Sequence, residues 1–122
     1  MLKFIQARLK SFHYAFSGIA EVVRSQPNAK IHLVGLVASI VLGGVCGLSA
    51  IEWAVVALCC GSVLAAEALN TAIENVVDLV SPDYHPLAGK AKDAAAAAVL
   101  ITAIAAVIVG VIIFLPKIKA IL

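Results

Sequence analysis

The segment from Glu67 through Asn70 and Glu74 to Asp78 places four polar side chains at offsets of 0, 3, 7 and 11 in an otherwise apolar stretch. On a helix turning about 100° per residue, these offsets fall within roughly 80° of one another. They form one polar stripe, while Leu69, Ile73 and Val76 face elsewhere. Carboxylates near hydrocarbon are costly, so they are usually turned toward a bundle interior, a cavity or a cation. Three on one stripe exceed what the adjacent basic residues neutralise by simple pairing. That points to a hard divalent cation, and magnesium suits it, because it takes few protein carboxylates and fills its other positions with water and substrate phosphates. A further carboxylate beside the metal and close to the apolar run is placed to accept a proton from a hydroxyl nucleophile, and Glu67 has that position. The bland alternative is that the stripe holds helices together through interhelical hydrogen bonds and pairing with Lys90 or Lys92.

The elements that must carry this stripe are membrane helices. The chain of 122 residues is 63% hydrophobic and 13% charged, against about half and a quarter for a soluble domain. About 20 mostly apolar residues cross a bilayer as a helix, and three segments qualify, at residues 31–50, 53–80 and 94–115. The expected fold is therefore an all-α membrane protein, one domain over residues 1–122, in which three transmembrane helices follow an N-terminal helix. Residues 1–25 read as an amphipathic surface helix, with Phe4, Ile5, Leu9, Phe12, Phe16, Ile19 and Val23 recurring mostly three and four apart. Pro27 disfavours a helical conformation at Gln26 and marks the turn into the bilayer. The second span would reach about 42 Å at 1.5 Å per residue, so its C-terminal third should emerge at the interface, where Ser81-Pro82-Asp83 ends it. A polar loop is expected up to Asp93, the Ala94 to Ala98 run opens the third span, and Pro116 closes it. In the first span Gly35, Ser39, Gly43 and Gly47 lie four apart on one face, a candidate seam for close helix packing.

Charge placement sets the expected orientation. Lys3, Arg8, Lys10, Arg24 and Lys30 precede the first span, and Lys90 and Lys92 lie between the second and third, whereas Lys117 and Lys119 follow the third against the trend. The positive-inside rule then puts the N-terminus and the second connection in the cytoplasm. No cleavable signal peptide is expected, because Lys3, Arg8 and Lys10 interrupt the first apolar residues. A net charge of +2, with basic residues flanking membrane segments, gives no reason to expect nucleic-acid binding. Cys46, Cys59 and Cys60 lie inside the spans without metal-site spacing and read as packing residues. Trp53 reads as an anchor at the outer interface. His32 and His85 read as residues that cap, hydrogen-bond or meet headgroups. Gly89-Lys90 lacks the glycine five residues earlier that a Walker loop needs, which leaves phosphate binding to lysine, magnesium and helix termini.

From Glu67 to Glu74, followed by Val77-Asp78, the sequence resembles the signature segment of the prokaryotic diacylglycerol kinases, which include the undecaprenol kinases. The resemblance continues through Tyr84-His85, Gly89 and Ala91-Lys92-Asp93 into Ala97 to Leu100. Upstream it takes in Tyr14 with Gly18, and Asn28 with Lys30-Ile31-His32, so that residues 12 to 114 are covered. It implies a homotrimer in a bacterial cytoplasmic membrane, with composite active sites at the cytoplasmic interface transferring the ATP γ-phosphate to a lipid hydroxyl. By the same resemblance Glu67 corresponds to the catalytic base, Asn70 to a residue orienting groups at the reaction centre, and Glu74 to a metal ligand. Asp78, Lys92 and Asp93 match the nucleotide-binding end, and Tyr14 is implied to contact the adenine. The acceptor, undecaprenol or diacylglycerol, stays open, with the Phe12 to Gly18 stretch leaning toward undecaprenol.

One departure stands out. Many family members carry a glutamate that joins Glu74 on the metal, and here that position is Gln26. An amide oxygen still ligates magnesium but brings no charge, and Glu21 is a poor substitute, about 140° round the helix from it. The rival reading from another class is a noncatalytic membrane subunit or ion-conducting oligomer in which the Glu67 to Asp78 stripe lines a polar path.

Overall fold

The computed structural model describes residues 1–122 as four helices: α1 (Leu2–Ser25), α2 (Pro27–Cys46), α3 (Ala50–Val80) and α4 (Pro86–Ile121). Three of them, α2, α3 and α4, are long and apolar enough to cross a membrane. Large apolar side chains such as Ile31, Val34, Leu58, Leu69, Ile101 and Ile112 stand exposed along them. Such a surface suits hydrocarbon rather than water.

The connections follow from backbone chemistry. Gln26 alone joins α1 to α2, in an extended conformation (φ −103°, ψ 116°). Pro27 imposes that conformation on Gln26 and itself fills the first position of α2, where its missing N–H has no partner to lose. Gly47 ends α2 with φ at 62°, a left-handed conformation that favours glycine. Ser49 then caps α3 in a reciprocal box. Its hydroxyl accepts from the Glu52 N–H, and the Glu52 carboxylate accepts from the Ser49 N–H at 2.7 Å.

α3 and α4 pack along each other more extensively than any other pair, and α2 contacts both. The core is small. At the end where α2 leads into α3, Leu48, Val56 and Phe114 form a buried cluster, with Cys46, Trp53 and Cys60 packed against it. The three cysteines are unpaired.

Three sequence expectations change. The polar loop expected up to Asp93 is only Ser81 to His85, because α4 starts at Pro86 and carries Lys90, Lys92 and Asp93. His85 caps this start, its Nδ1 accepting from the Leu87 N–H at 3.2 Å, and Pro86 again supplies an N-terminal proline. Pro116 does not close the last helix, which runs on to Ile121; a proline in a membrane helix removes one backbone bond while its neighbours keep theirs. The small-residue seam of α2 meets α3 within the subunit only in part, at Gly43 against Trp53 and at Ser39 beside Cys60. A Cβ at Gly35 would meet nothing within 4 Å, whereas one at Gly43 would lie 2.5 Å from the Trp53 ring. Trp53 is half-buried against that glycine.

Candidate active site

Glu67, Asn70 and Thr71 are the buried polar residues of the chain, and all three lie on α3. Glu67 is 1% exposed, and neither of its carboxylate oxygens has a hydrogen-bond partner. The Thr71 hydroxyl one turn later donates to the Glu67 backbone carbonyl at 2.9 Å, leaving the carboxylate untouched. A buried carboxylate without a donor is costly. Such a group marks a candidate functional position.

Asn70 and Glu74 continue the same face. Asn70 Nδ2 donates to Glu74 Oε1 at 3.1 Å, while Asn70 Oδ1 is buried and unpartnered. From the junction of α1 and α2, Gln26 Nε2 donates to Glu74 Oε2, also at 3.1 Å. Both oxygens of Glu74 are therefore held by amides, one from α3 itself and one from the α1–α2 junction.

These residues line one cavity of about 310 Å³. Its polar wall is built from Gln26, Asn28 and His32 of the α2 side and from Glu67, Asn70 and Glu74 of α3; Ile31 joins Ala96, Val99, Leu100 and Ala103 of α4 on the apolar side. The cavity thus offers acceptors on one side and hydrocarbon on the other. That division suits an amphiphile whose polar end reaches Glu67 while its tail lies along α4.

Asp78 stands farther along α3, about 16 Å from Glu67 at 1.5 Å per residue. It belongs to a second, smaller cleft of about 170 Å³ formed by the end of α3, the Ser81 to His85 turn and the first turns of α4. Lys92 also lines that cleft and donates to Asp78 Oδ1. Both partners are partly exposed, so the pair remains open to a competing anion.

The expected residues therefore divide. Gln26, Glu67, Asn70 and Glu74 come together in the larger cavity, and Asp78 with Lys92 in the smaller one. Asp93 is exposed on α4 beside Lys92 and lines neither space. Tyr14 is exposed on α1, with Lys10 Nζ 5.8 Å from its ring centre, and likewise lines neither. The three stripe carboxylates do not share one cation: no three acidic, histidine or cysteine side chains gather closely enough. Asp78 pairs with Lys92, Glu74 is held by amides and Glu67 stands alone. Asn28 and His32 belong to the cavity wall although their types alone did not mark them. The signal was their spacing of four on α2, which puts both on one face.

The chain is an all-helical membrane protein with a buried, unpartnered carboxylate in a cavity that is polar on one side and apolar on the other. Residues 13–114 match the prokaryotic diacylglycerol kinase family. The chain is 45% identical over 108 residues to an undecaprenol kinase of Bacillus subtilis, covering 88% of each chain. It is 47% identical over 115 residues to a diacylglycerol kinase of Synechocystis, covering 93% of this chain and 66% of that one. A diacylglycerol kinase of Escherichia coli is 56% identical over a shorter stretch of 46 residues, 38% of each chain. The chain belongs to the prokaryotic diacylglycerol kinase family and is a lipid kinase. Membership sets aside the reading of the acidic stripe as the lining of a noncatalytic subunit or ion path.

Proposed function

We propose that this protein transfers the γ-phosphate of ATP to the hydroxyl of a membrane lipid, undecaprenol or diacylglycerol, at the cytoplasmic face of a bacterial cytoplasmic membrane. The observation that carries the proposal is the Glu67 carboxylate, 1% exposed and without a partner in a cavity whose opposite wall is apolar. Glu67 accepts the proton of the lipid hydroxyl as its oxygen attacks the γ-phosphorus, and the β–γ bridging oxygen leaves with ADP. Asn70, one turn away, orients groups at the reaction centre with its free Oδ1 and fixes Glu74 with its amide.

Mg²⁺ is the cofactor of this reading, with Glu74 and Gln26 as its protein ligands. The donor set supports it. Glu74 and the buried Oδ1 of Asn70 offer oxygen, Gln26 would add its amide oxygen on turning, and the lining holds one imidazole (His32) and no thiol, which suits a hard cation that takes few protein ligands. When bound, the ion neutralises charge developing on the phosphate oxygens.

Asp78, Lys92 and Asp93 form the nucleotide end, and Lys92 exchanges its Asp78 partner for phosphate. Tyr14 meets the adenine. Because Tyr14 and Asp93 lie outside both spaces of one subunit, the reading includes a homotrimer in which neighbouring subunits complete each site. α1 lies along the membrane surface, where its basic residues meet headgroups.

The experiment is direct. Purified protein in mixed micelles is given ATP, Mg²⁺ and either undecaprenol or diacylglycerol, and ADP and lipid phosphate are both measured. One ADP per phosphorylated lipid supports the reading, and the better acceptor names the substrate. ADP release without lipid phosphate contradicts it.

A further inference from the structure

A carboxylate only accepts hydrogen bonds. The ends of Gln26 and Asn70 that meet Glu74 at 3.1 Å are therefore their NH₂ groups. This arrangement gives each Glu74 oxygen one hydrogen bond without any cation. A glutamate at position 26 would instead set two carboxylates about 3 Å apart, which is tolerable only with a cation or a shared proton between them. Gln26 is also the single residue between α1 and α2. Its bond to Glu74 is thus a tie between the helix junction and the C-terminal third of α3.

We propose that Gln26 is a two-way amide: without a cation its NH₂ clamps Glu74 in place and ties the α1–α2 junction to α3, and a divalent cation binds by turning it to present its oxygen. The cation arm of this inference rests on the proposed Mg²⁺ site, whereas the clamp in the metal-free protein does not. Turning the amide breaks a hydrogen bond to a charged acceptor, so cation binding is weaker here, by roughly tenfold to a hundredfold, than in a site with a second carboxylate. In return the metal-free site keeps its shape, and the protein's stability does not depend on a bound cation.

The test compares the parent with Gln26→Glu and Gln26→Ala as purified assemblies in detergent. Two quantities are read: thermal unfolding in chelator and in rising Mg²⁺, and Mn²⁺ affinity by electron paramagnetic resonance. The parent should melt at nearly the same temperature with and without Mg²⁺. Gln26→Ala should melt lower in both conditions, having lost the tie. Gln26→Glu should melt lowest in chelator, regain stability as Mg²⁺ rises, and bind Mn²⁺ at least tenfold more tightly than the parent. Gln26 variants that match the parent in chelator would overturn the clamp even with kinase activity intact. Mn²⁺ affinity that is the same in all three would overturn the amide turn. If Glu74→Gln also leaves Mn²⁺ binding unchanged, the proposed Mg²⁺ site fails, while the melting data in chelator still decide the clamp.

Discussion

Lys117 Nζ lies 3.1 Å from Glu52 Oε2, joining the last turns of α4 to the first turn of α3. Glu52 also closes the Ser49 capping box, so one carboxylate serves a helix start and an ion pair. The pair gives Lys117 a structural role at the end of the third span. Lys117 and Lys119 still count against the expected orientation, and the seven basic residues on the other side outnumber them.

Orientation follows as the first prediction. If all three candidate spans cross, the two termini lie on opposite sides, and the charge bias predicts that the N-terminus is inside. Alkaline phosphatase fused after Leu122 should be active in intact cells, and green fluorescent protein fused at the same point should be dark. A fluorescent, phosphatase-inactive pair of fusions would reverse the topology.

A second prediction separates two glycines of α2. A Cβ at Gly43 would enter the Trp53 ring, so Gly43→Ala should destabilise the purified protein by about 1–3 kcal/mol, the range for overpacking. A Cβ at Gly35 meets open space. Gly35→Ala should be neutral, or stabilising by up to about 1 kcal/mol, through backbone entropy. Thermal unfolding of the two variants in detergent gives the comparison. Loss of stability at Gly35 would show that another subunit covers that face.

The third prediction concerns Lys92. It faces the smaller cleft and pairs with Asp78 at a partly exposed position. Lys92→Met should raise the KM for ATP by about tenfold or more, on the scale of a lost charge-assisted contact, with a smaller effect on the KM for lipid. Initial rates across ATP and lipid concentrations test this. An unchanged KM for ATP would remove Lys92 from the nucleotide site.

Glu74 gives the fourth. Removing its charge while keeping its size should raise the Mg²⁺ concentration for half-maximal rate in Glu74→Gln as well as lower the rate. A magnesium titration identical to the parent's would mean that Glu74 is not a ligand.

Much of this was legible in the sequence because hydropathy and helical period act over short range. The three spans, the break at Gln26-Pro27 and the face shared by Glu67, Asn70 and Glu74 all depend on residues within a few turns of one another. What escaped depends on how helices meet. The fate of Asp78 was decided by Lys92 on the facing helix, and that residue was expected in a loop until His85 and Pro86 proved to start α4 earlier. The seam expected on α2 is used in part for the same reason: small residues at a spacing of four permit close approach, and α3 takes it up at Gly43 and Ser39 but not at Gly35. Asn28 and His32 entered the cavity because Pro27 starts α2 at once, turning their shared face toward Glu67.

The central claim is that Glu67 accepts the proton of the lipid hydroxyl during phosphate transfer. Its most direct test measures transfer of labelled γ-phosphate from ATP to lipid by the parent and by Glu67→Gln, at saturating ATP, Mg²⁺ and lipid, with nucleotide binding measured on the same preparations. The account predicts a fall in kcat on the order of 100- to 10,000-fold, with nucleotide affinity and assembly size retained. A Glu67→Gln variant that transfers phosphate at a rate near the parent's would contradict it.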